Sequence, residues 1–99
     1  MDAKTMLGEI ESAIEETFDP HKRHQEKTRA ESRRNVYKKA LKEVETVGGS
    51  EQMHALGVWI QNQIRYHQRL PSGREVRKRG AEMCRSNGHR VSTGSWLGA

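Results

Sequence analysis

Disulfide-forming cysteines, aromatic residues and long apolar runs are all scarce in this sequence. Its one cysteine, Cys84, excludes an internal disulfide framework and is typical of a reducing compartment. Leu, Ile, Val and Phe together account for 16 of the 99 residues, which is close to the border of intrinsic disorder. No apolar run reaches the roughly eighteen residues of a membrane-spanning helix, so we expect no membrane partner.

The short length limits the fold and the function classes further. A chain of 99 residues buries a modest core, which excludes a second domain, a large enzyme cleft and a dinucleotide-binding fold. The segment over 1–11 is acidic and amphipathic, which is not the composition of a secretory signal peptide. Together with the single cysteine, this composition leads us to expect a cytoplasmic protein.

Charge is distributed unevenly along a chain whose formal net charge is +5. Residues 1–19 carry a net charge of −5 and residues 43–64 carry −3, whereas residues 20–42 and 65–99 carry +7 and +6. Such asymmetry indicates either a polyanionic partner or acidic and basic blocks that pack on each other within the fold. Both interpretations stay open at the level of sequence.

The first half of the chain has the pattern of two helices. Apolar residues at three- and four-residue steps predict an acidic N-terminal helix over 3–18, with Asp2 as its N-cap. We expect this helix to complete the core or to form the interface of a dimer. Asp19-Pro20 ends it, because proline disfavours helical geometry at the residue before it. A long charged helix is predicted over 20–47, with Gly48-Gly49 as its stop.

The second half predicts a core helix over 51–68, capped by Ser50, and a helix that begins at the capping box Ser72-Gly73-Arg74-Glu75. We take this core helix as the centre of the core and expect Trp59 to be buried against Leu7, Ile10 or Leu41. Asn87-Gly88 is a left-handed helix terminus, and Ser92 caps a last short helix over 93–97. Without any period-two alternation, the sequence predicts a single all-α domain, a small bundle of four helices with a short C-terminal fifth helix.

The segment over 72–97 resembles helix-turn-helix DNA-binding proteins. A capped helix with the small Ala81 on one face is followed by a turn at Gly88, the apolar Val91 and a Ser-capped short helix. In that family the second helix lies in the major groove, and its N-terminal residues reach base edges. The resemblance implies that DNA is faced by Ser92, Thr93 and Ser95. It also implies inward packing of Val91, Trp96 and Leu97.

Two basic blocks supply the expected phosphate contacts. The resemblance assigns that role to Arg74, Arg77, Lys78, Arg85 and Arg90. The block over 21–39, which includes Arg23 and Lys27, could track phosphates. The alternatives are a solvated helix face with spaced pairs, such as Glu26 with Arg29, and docking against the acidic first helix.

The sequence contains no specific pattern for a metal site or a catalytic site. His21 and His24, with Cys84 and His89, have the donor types of a mixed zinc site, but nothing in the sequence brings the two pairs together. Cys84 on an apolar helix face is more typical of a small core residue. We therefore expect no metal, no cofactor and no enzymatic activity.

These observations favour a small nucleic-acid-binding protein. We expect a DNA-binding transcriptional regulator that uses the helix-turn-helix-like segment and basic helix faces, with DNA favoured over RNA and with a homodimer as a further expectation. The alternative is a helical protein–protein interaction module with no nucleic-acid role.

Overall fold

Helices form the regular secondary structure of the described chain. The computed structural model describes residues 2–18, 20–92 and 94–98, with side chains for 2–18, 32–92 and 94–97. It contains α1 (Ala3–Thr17), α2 (Pro20–His67), α3 (Gly73–Ser86) and a 3-10 turn (Trp96–Gly98), and no strand within those residues. The predicted all-α class is confirmed.

Helix α1 follows its sequence pattern closely. The Thr5 amide donates to the Asp2 side chain at 2.8 Å, which caps the helix as predicted and lowers the pKa of Asp2. The helix ends at Phe18, whose backbone is extended. Its apolar stripe is buried, and the members are Ala3, Met6, Leu7, Ile10, Ala13 and Ile14. This stripe is buried in the core of its own chain, so it is not exposed as the interface of a dimer.

The number of helices differs from the sequence prediction at α2. The sequence predicted separate helices over 20–47 and 51–68, whereas the described chain has three α-helices, of which α2 spans Pro20–His67 with a kink at Gly49. The predicted stop at Gly48-Gly49 coincides with this kink, but no residues outside α2 separate its two parts. Gly49 alone leaves helical geometry inside α2, with φ 85° and ψ 178°. Glycine adopts this positive φ without steric cost, so one residue turns the chain and no loop is needed.

The two arms of α2 (20–48 and 50–67) lie side by side. A straight helix of this length would extend about 72 Å, but the longest dimension of the protein is 43 Å. Arg33 on the first arm donates to the carbonyl of Leu70 at 2.8 Å, and the Tyr37 hydroxyl donates to that of Pro71 at 2.6 Å. These bonds fix the end of the second arm against the middle of the first.

Tyr37 makes the stability of this hairpin sensitive to alkaline pH. Its side chain is buried, and burial raises the pKa of Tyr37 from 10.0 to about 12. Between these values the folded chain holds a proton that the unfolded chain has lost. The Tyr37 contribution is therefore fully present below pH 10 and is lost as pH rises towards 12, by on the order of 2–3 kcal/mol. Urea unfolding of the parent and of Tyr37→Phe at about pH 9 and about pH 12 checks this, because the variant should lack this part of the decline. An equal decline in the two proteins would contradict it.

The core lies where α1, both arms of α2 and α3 meet. The two arms contribute Tyr37, Ala40, Leu41, Val44, Met53, Leu56, Ile60 and Ile64, all fully or almost fully buried. Trp59 is half-buried and packs on the edge of this cluster. The prediction that Trp59 is buried was wrong. Gly57 lies on the face that meets α1, and the Met6 side chain occupies the space beside it.

Helix α3 begins and ends as predicted. Ser72 and Glu75 form the reciprocal capping box, at 3.1 Å and 2.8 Å. Hydrogen bonds from the Arg69 guanidinium and the Ser72 amide hold the pKa of Glu75 below its ordinary value. At the other end Gly88 has φ 83°, and the His89 amide donates to the Cys84 carbonyl at 2.8 Å, as in a Schellman motif.

The predicted fifth α-helix is absent from the described chain. The C-terminal segment forms a single 3-10 turn over Trp96–Gly98, preceded by a turn in which the Ser95 amide donates to the Ser92 carbonyl. Such a short segment gains little from helical hydrogen bonds, since helix nucleation is costly. Its conformation follows instead from the burial of Leu97 in the core.

Candidate nucleic-acid interface

Ion pairs join the acidic first helix to both arms of α2. Arg34 pairs with Glu11 at 2.7 Å, and Arg65 on the second arm pairs with Glu16 at 3.3 Å. Packing of acidic on basic elements within the fold, one of the two interpretations of the charge pattern, is thus present. The predicted contacts Arg23 and Lys27 lie outside the described side chains.

The outer face of α3 gathers a different set of cations. Helix α3 carries five basic side chains against two carboxylates. A groove of about 310 Å³ runs along it, lined by Arg74, Arg77, Lys78, Ala81, Glu82, Arg85 and Leu97. The four predicted phosphate contacts on this helix therefore share one surface.

Three of these cations lack an ion-pair partner among the described side chains. Arg74, Lys78 and Arg85 are exposed and form no ion pair with any side chain that the structure describes. The carboxylate in the groove, Glu82, lies 3.7 Å from Arg79 on the same helix. From Arg74 to Arg85 the helix rises about 16 Å. This distance spans several phosphates of a duplex, which carries one charge per roughly 1.7 Å of its axis.

Trp96 joins this surface to α2. The Arg77 guanidinium lies 5.2 Å from the centroid of the Trp96 ring, and the Lys39 ammonium lies 5.3 Å from it. Cation–π contacts at exposed sites stabilise by about 0.5–1 kcal/mol each. The ring therefore brings a cation of the first arm of α2 beside a cation of α3 and extends the basic surface across both helices.

Anchors on either side of Trp96 fix its position. Leu97 is buried, and a Cβ atom added at Gly80 would lie 3.3 Å from its side chain. The Ser95 hydroxyl donates to the Glu43 carboxylate at 3.3 Å and accepts from the Leu97 amide at 3.2 Å. The turn is thus attached to both α2 and α3, and Trp96 is left half-buried between them.

Neither of the described base-reading candidates, Ser92 and Ser95, lies in a helix. Ser92 is exposed, Ser95 is half-buried against Glu43, and Thr93 lies outside the described residues. Arg90 is exposed in the segment between α3 and the 3-10 turn. Of the residues predicted to pack inward, Leu97 is buried, whereas Val91 and Trp96 are half-buried.

The association of Lys39 with Trp96 was not predictable from sequence. Lys39 belongs to the basic block over 21–39, but no spacing rule connects a residue of the long helix to one in the last turn. A tryptophan close to the C-terminal end of a basic segment was the available signal, and its spacing favoured a core role instead.

The weak metal hypothesis gains no support from the described residues. Among them, no group of three or more His, Cys, Asp and Glu side chains converges. Cys84 is fully buried in the core, and burial raises the pKa of its thiol, so its interpretation as a small core residue is confirmed. The side chains of His21 and His24 lie outside the described set.

Within the described ranges, no helix combines the length and the apolarity needed to cross a membrane. Comparison of the chain with protein-family models, with curated proteins and with solved structures gives no match.

Proposed function

We propose that this protein binds nucleic acid, with DNA as the expected form, through the outer face of α3. The observation that carries the proposal is the row of exposed cations Arg74, Lys78 and Arg85, with Arg77 beside them. These three form no ion pair with the side chains that the structure describes. Arginine and lysine that lack acidic partners are the side chains that neutralise backbone phosphates. The protein acts by binding and not by catalysis, in the cytoplasm that its composition suggests.

The charge arrangement of the whole chain supports this choice of surface. The carboxylates of α1 engage cations of α2, as in the Glu11–Arg34 and Glu16–Arg65 pairs. A polyanion at α2 would compete with these carboxylates, whereas at α3 it would meet Arg74, Lys78 and Arg85 without displacing a partner. For the described side chains, α3 is therefore the favoured docking site.

Transcription regulation is a finer proposal, because it requires discrimination between sequences. Phosphate contacts position a protein on DNA but carry no sequence information directly. The exposed Ser92 and the neighbouring Thr93 are the residues we propose for contact with base edges. Their test is a comparison of parent, Ser92→Ala and Thr93→Ala on a selected site, where loss of a base contact costs about 1–3 kcal/mol.

The salt dependence of DNA binding tests the proposed function. If four cations neutralise phosphates, the slope of log K against log salt should be about −3.6, and affinity should fall roughly 100-fold between about 50 and 200 mM salt. Fluorescence anisotropy with a labelled duplex of mixed sequence measures it. A dissociation constant that barely changes with salt would contradict binding through phosphates.

The alternative, a protein-interaction module or a homodimer, is favoured by one observation. Tyr66 is 77% exposed and Val58 is 38% exposed, and their spacing of eight residues places them on one face of the second arm of α2. If this face pairs two copies, Tyr66→Ser should lower the mass measured by sedimentation equilibrium at high protein concentration. A parent protein that stays monomeric at every concentration would contradict the homodimer proposal.

A further inference from the structure

We infer that Trp96 is a stacking platform for an unpaired nucleobase, so that the nucleic acid bound along the α3 groove is single-stranded where it passes this residue. The inference rests on the proposed function and specifies its substrate class. Three features of the molecule support it: the position of the Trp96 ring at the edge of the core, the two cations over that ring, and the place of Arg77 between the ring and the groove.

The Trp96 ring lies at the rim of the fold and not within the core. Its neighbour Leu97 enters the core, and its other neighbour, Ser95, is bonded to Glu43. These attachments hold the ring half-exposed between α2 and α3. A tryptophan fixed by its neighbours loses little conformational freedom on binding, which is what a stacking surface requires.

Phosphates compete with the Trp96 ring for the two cations that lie over it. Lys39 and Arg77 lie over Trp96, and both are also able to neutralise a phosphate. Stacking of a base on an aromatic side chain is stronger than a solvent-exposed cation–π contact. Exchange of the cations for a base is therefore favourable once phosphates are present to receive them.

Arg77 connects the platform to the groove. It lies over the Trp96 ring and also lines the groove that contains Arg74, Lys78 and Arg85. A strand whose phosphates follow this groove brings its bases beside Trp96. In a duplex the bases are stacked on each other and paired, so the ring is accessible to a base of a single strand and not to those of a closed duplex.

Oligonucleotides that differ only in their bases test the inference. An oligothymidylate of about twelve nucleotides and an abasic strand of equal length carry the same phosphates. We expect the parent protein to bind the oligothymidylate about 10-fold more tightly, with a range of 5- to 100-fold. In a Trp59→Phe background, where Trp96 is the one tryptophan left, oligothymidylate should quench the tryptophan fluorescence and the abasic strand should not.

Substitutions of Trp96 separate stacking from structural support. Trp96→Leu should bind the two strands equally and keep the salt slope of the parent, whereas Trp96→Phe should retain part of the preference for bases. Circular dichroism and urea unfolding check that both variants are folded. If the parent binds both strands equally and no quenching occurs, the inference is overturned while the proposed function stands. If neither strand nor a duplex binds, the proposed function fails as well.

Discussion

Simultaneous replacement of Arg74, Lys78 and Arg85 by glutamine should weaken DNA binding by on the order of 10²–10³ at about 0.1 M salt. Each phosphate contact contributes about 0.9 to the salt slope, so the slope should become shallower by nearly three. These three side chains are exposed and unpaired among the described residues, so the substitutions leave no buried charge behind. Anisotropy titrations of parent and variant over a series of salt concentrations measure both quantities.

Arg79 provides the matched control. It lies on the same helix, but its guanidinium is 3.7 Å from the Glu82 carboxylate and it does not line the groove. Arg79→Gln removes one charge from α3 without removing a proposed phosphate contact, and should reduce affinity less than any single change at Arg74, Lys78 or Arg85. If Arg79→Gln is as damaging as those changes, binding responds to net charge and the assignment of the groove is wrong.

Gly57→Ala should destabilise the fold by about 2–3 kcal/mol. A Cβ atom at Gly57 would lie 2.2 Å from both Cγ and Sδ of Met6, which is far inside van der Waals contact. Rotation of the terminal methyl group does not relieve an overlap at Cγ, and Met6 is fully buried. Either the Met6 side chain must adopt another rotamer within the packed core, or helix α1 must move away from the second arm of α2. Urea unfolding followed by circular dichroism gives the free energy.

Gly8→Ala is the control for Gly57→Ala, because it changes the same residue type in a neighbouring helix. Gly8 is exposed in α1, and a Cβ atom there meets nothing within 4 Å. Alanine should stabilise this helix position by about 0.5–1 kcal/mol, since glycine loses more backbone freedom on folding. A double variant Met6→Ala, Gly57→Ala should cost less than the sum of the two single changes, because the first makes room for the second. Equal effects of alanine at Gly8 and Gly57 would contradict the close approach.

Features that depend on neighbouring residues in the chain were predictable from sequence. The N-cap of α1 at Asp2 and the Ser72–Glu75 capping box depend on hydrogen bonds between residues close in the chain. The turn at Gly88 depends on the backbone freedom of glycine. The buried stripe of α1 follows from helical periodicity alone. The phosphate role of Arg74, Lys78 and Arg85 was instead an implication of the helix-turn-helix resemblance, and the structure places the three side chains along one groove.

Features that depend on distant residues were not predictable. The pair Gly48-Gly49 correctly indicated an interruption of the helix, but not that a single glycine with positive φ turns the chain within α2. Trp59 was expected to be buried because it is the largest residue on the most apolar stripe. The face of α2 that meets α1 contains Gly57 instead, because Met6 needs the space beside it. The C-terminal turn likewise depends on the burial of Leu97 beside Gly80, which no local pattern reveals.

The most direct test of the central claim, that the outer face of α3 is the nucleic-acid interface, is a nuclear magnetic resonance titration of the arginine Nε–H groups with DNA. Each arginine gives its own signal, so the measurement compares surfaces within one sample. We predict that the signals of Arg74, Arg77 and Arg85 shift progressively on addition of DNA. Those of Arg34 and Arg65, which are paired with carboxylates of α1, should stay in place. Shifts at Arg34 and Arg65 without shifts on α3 would contradict the account.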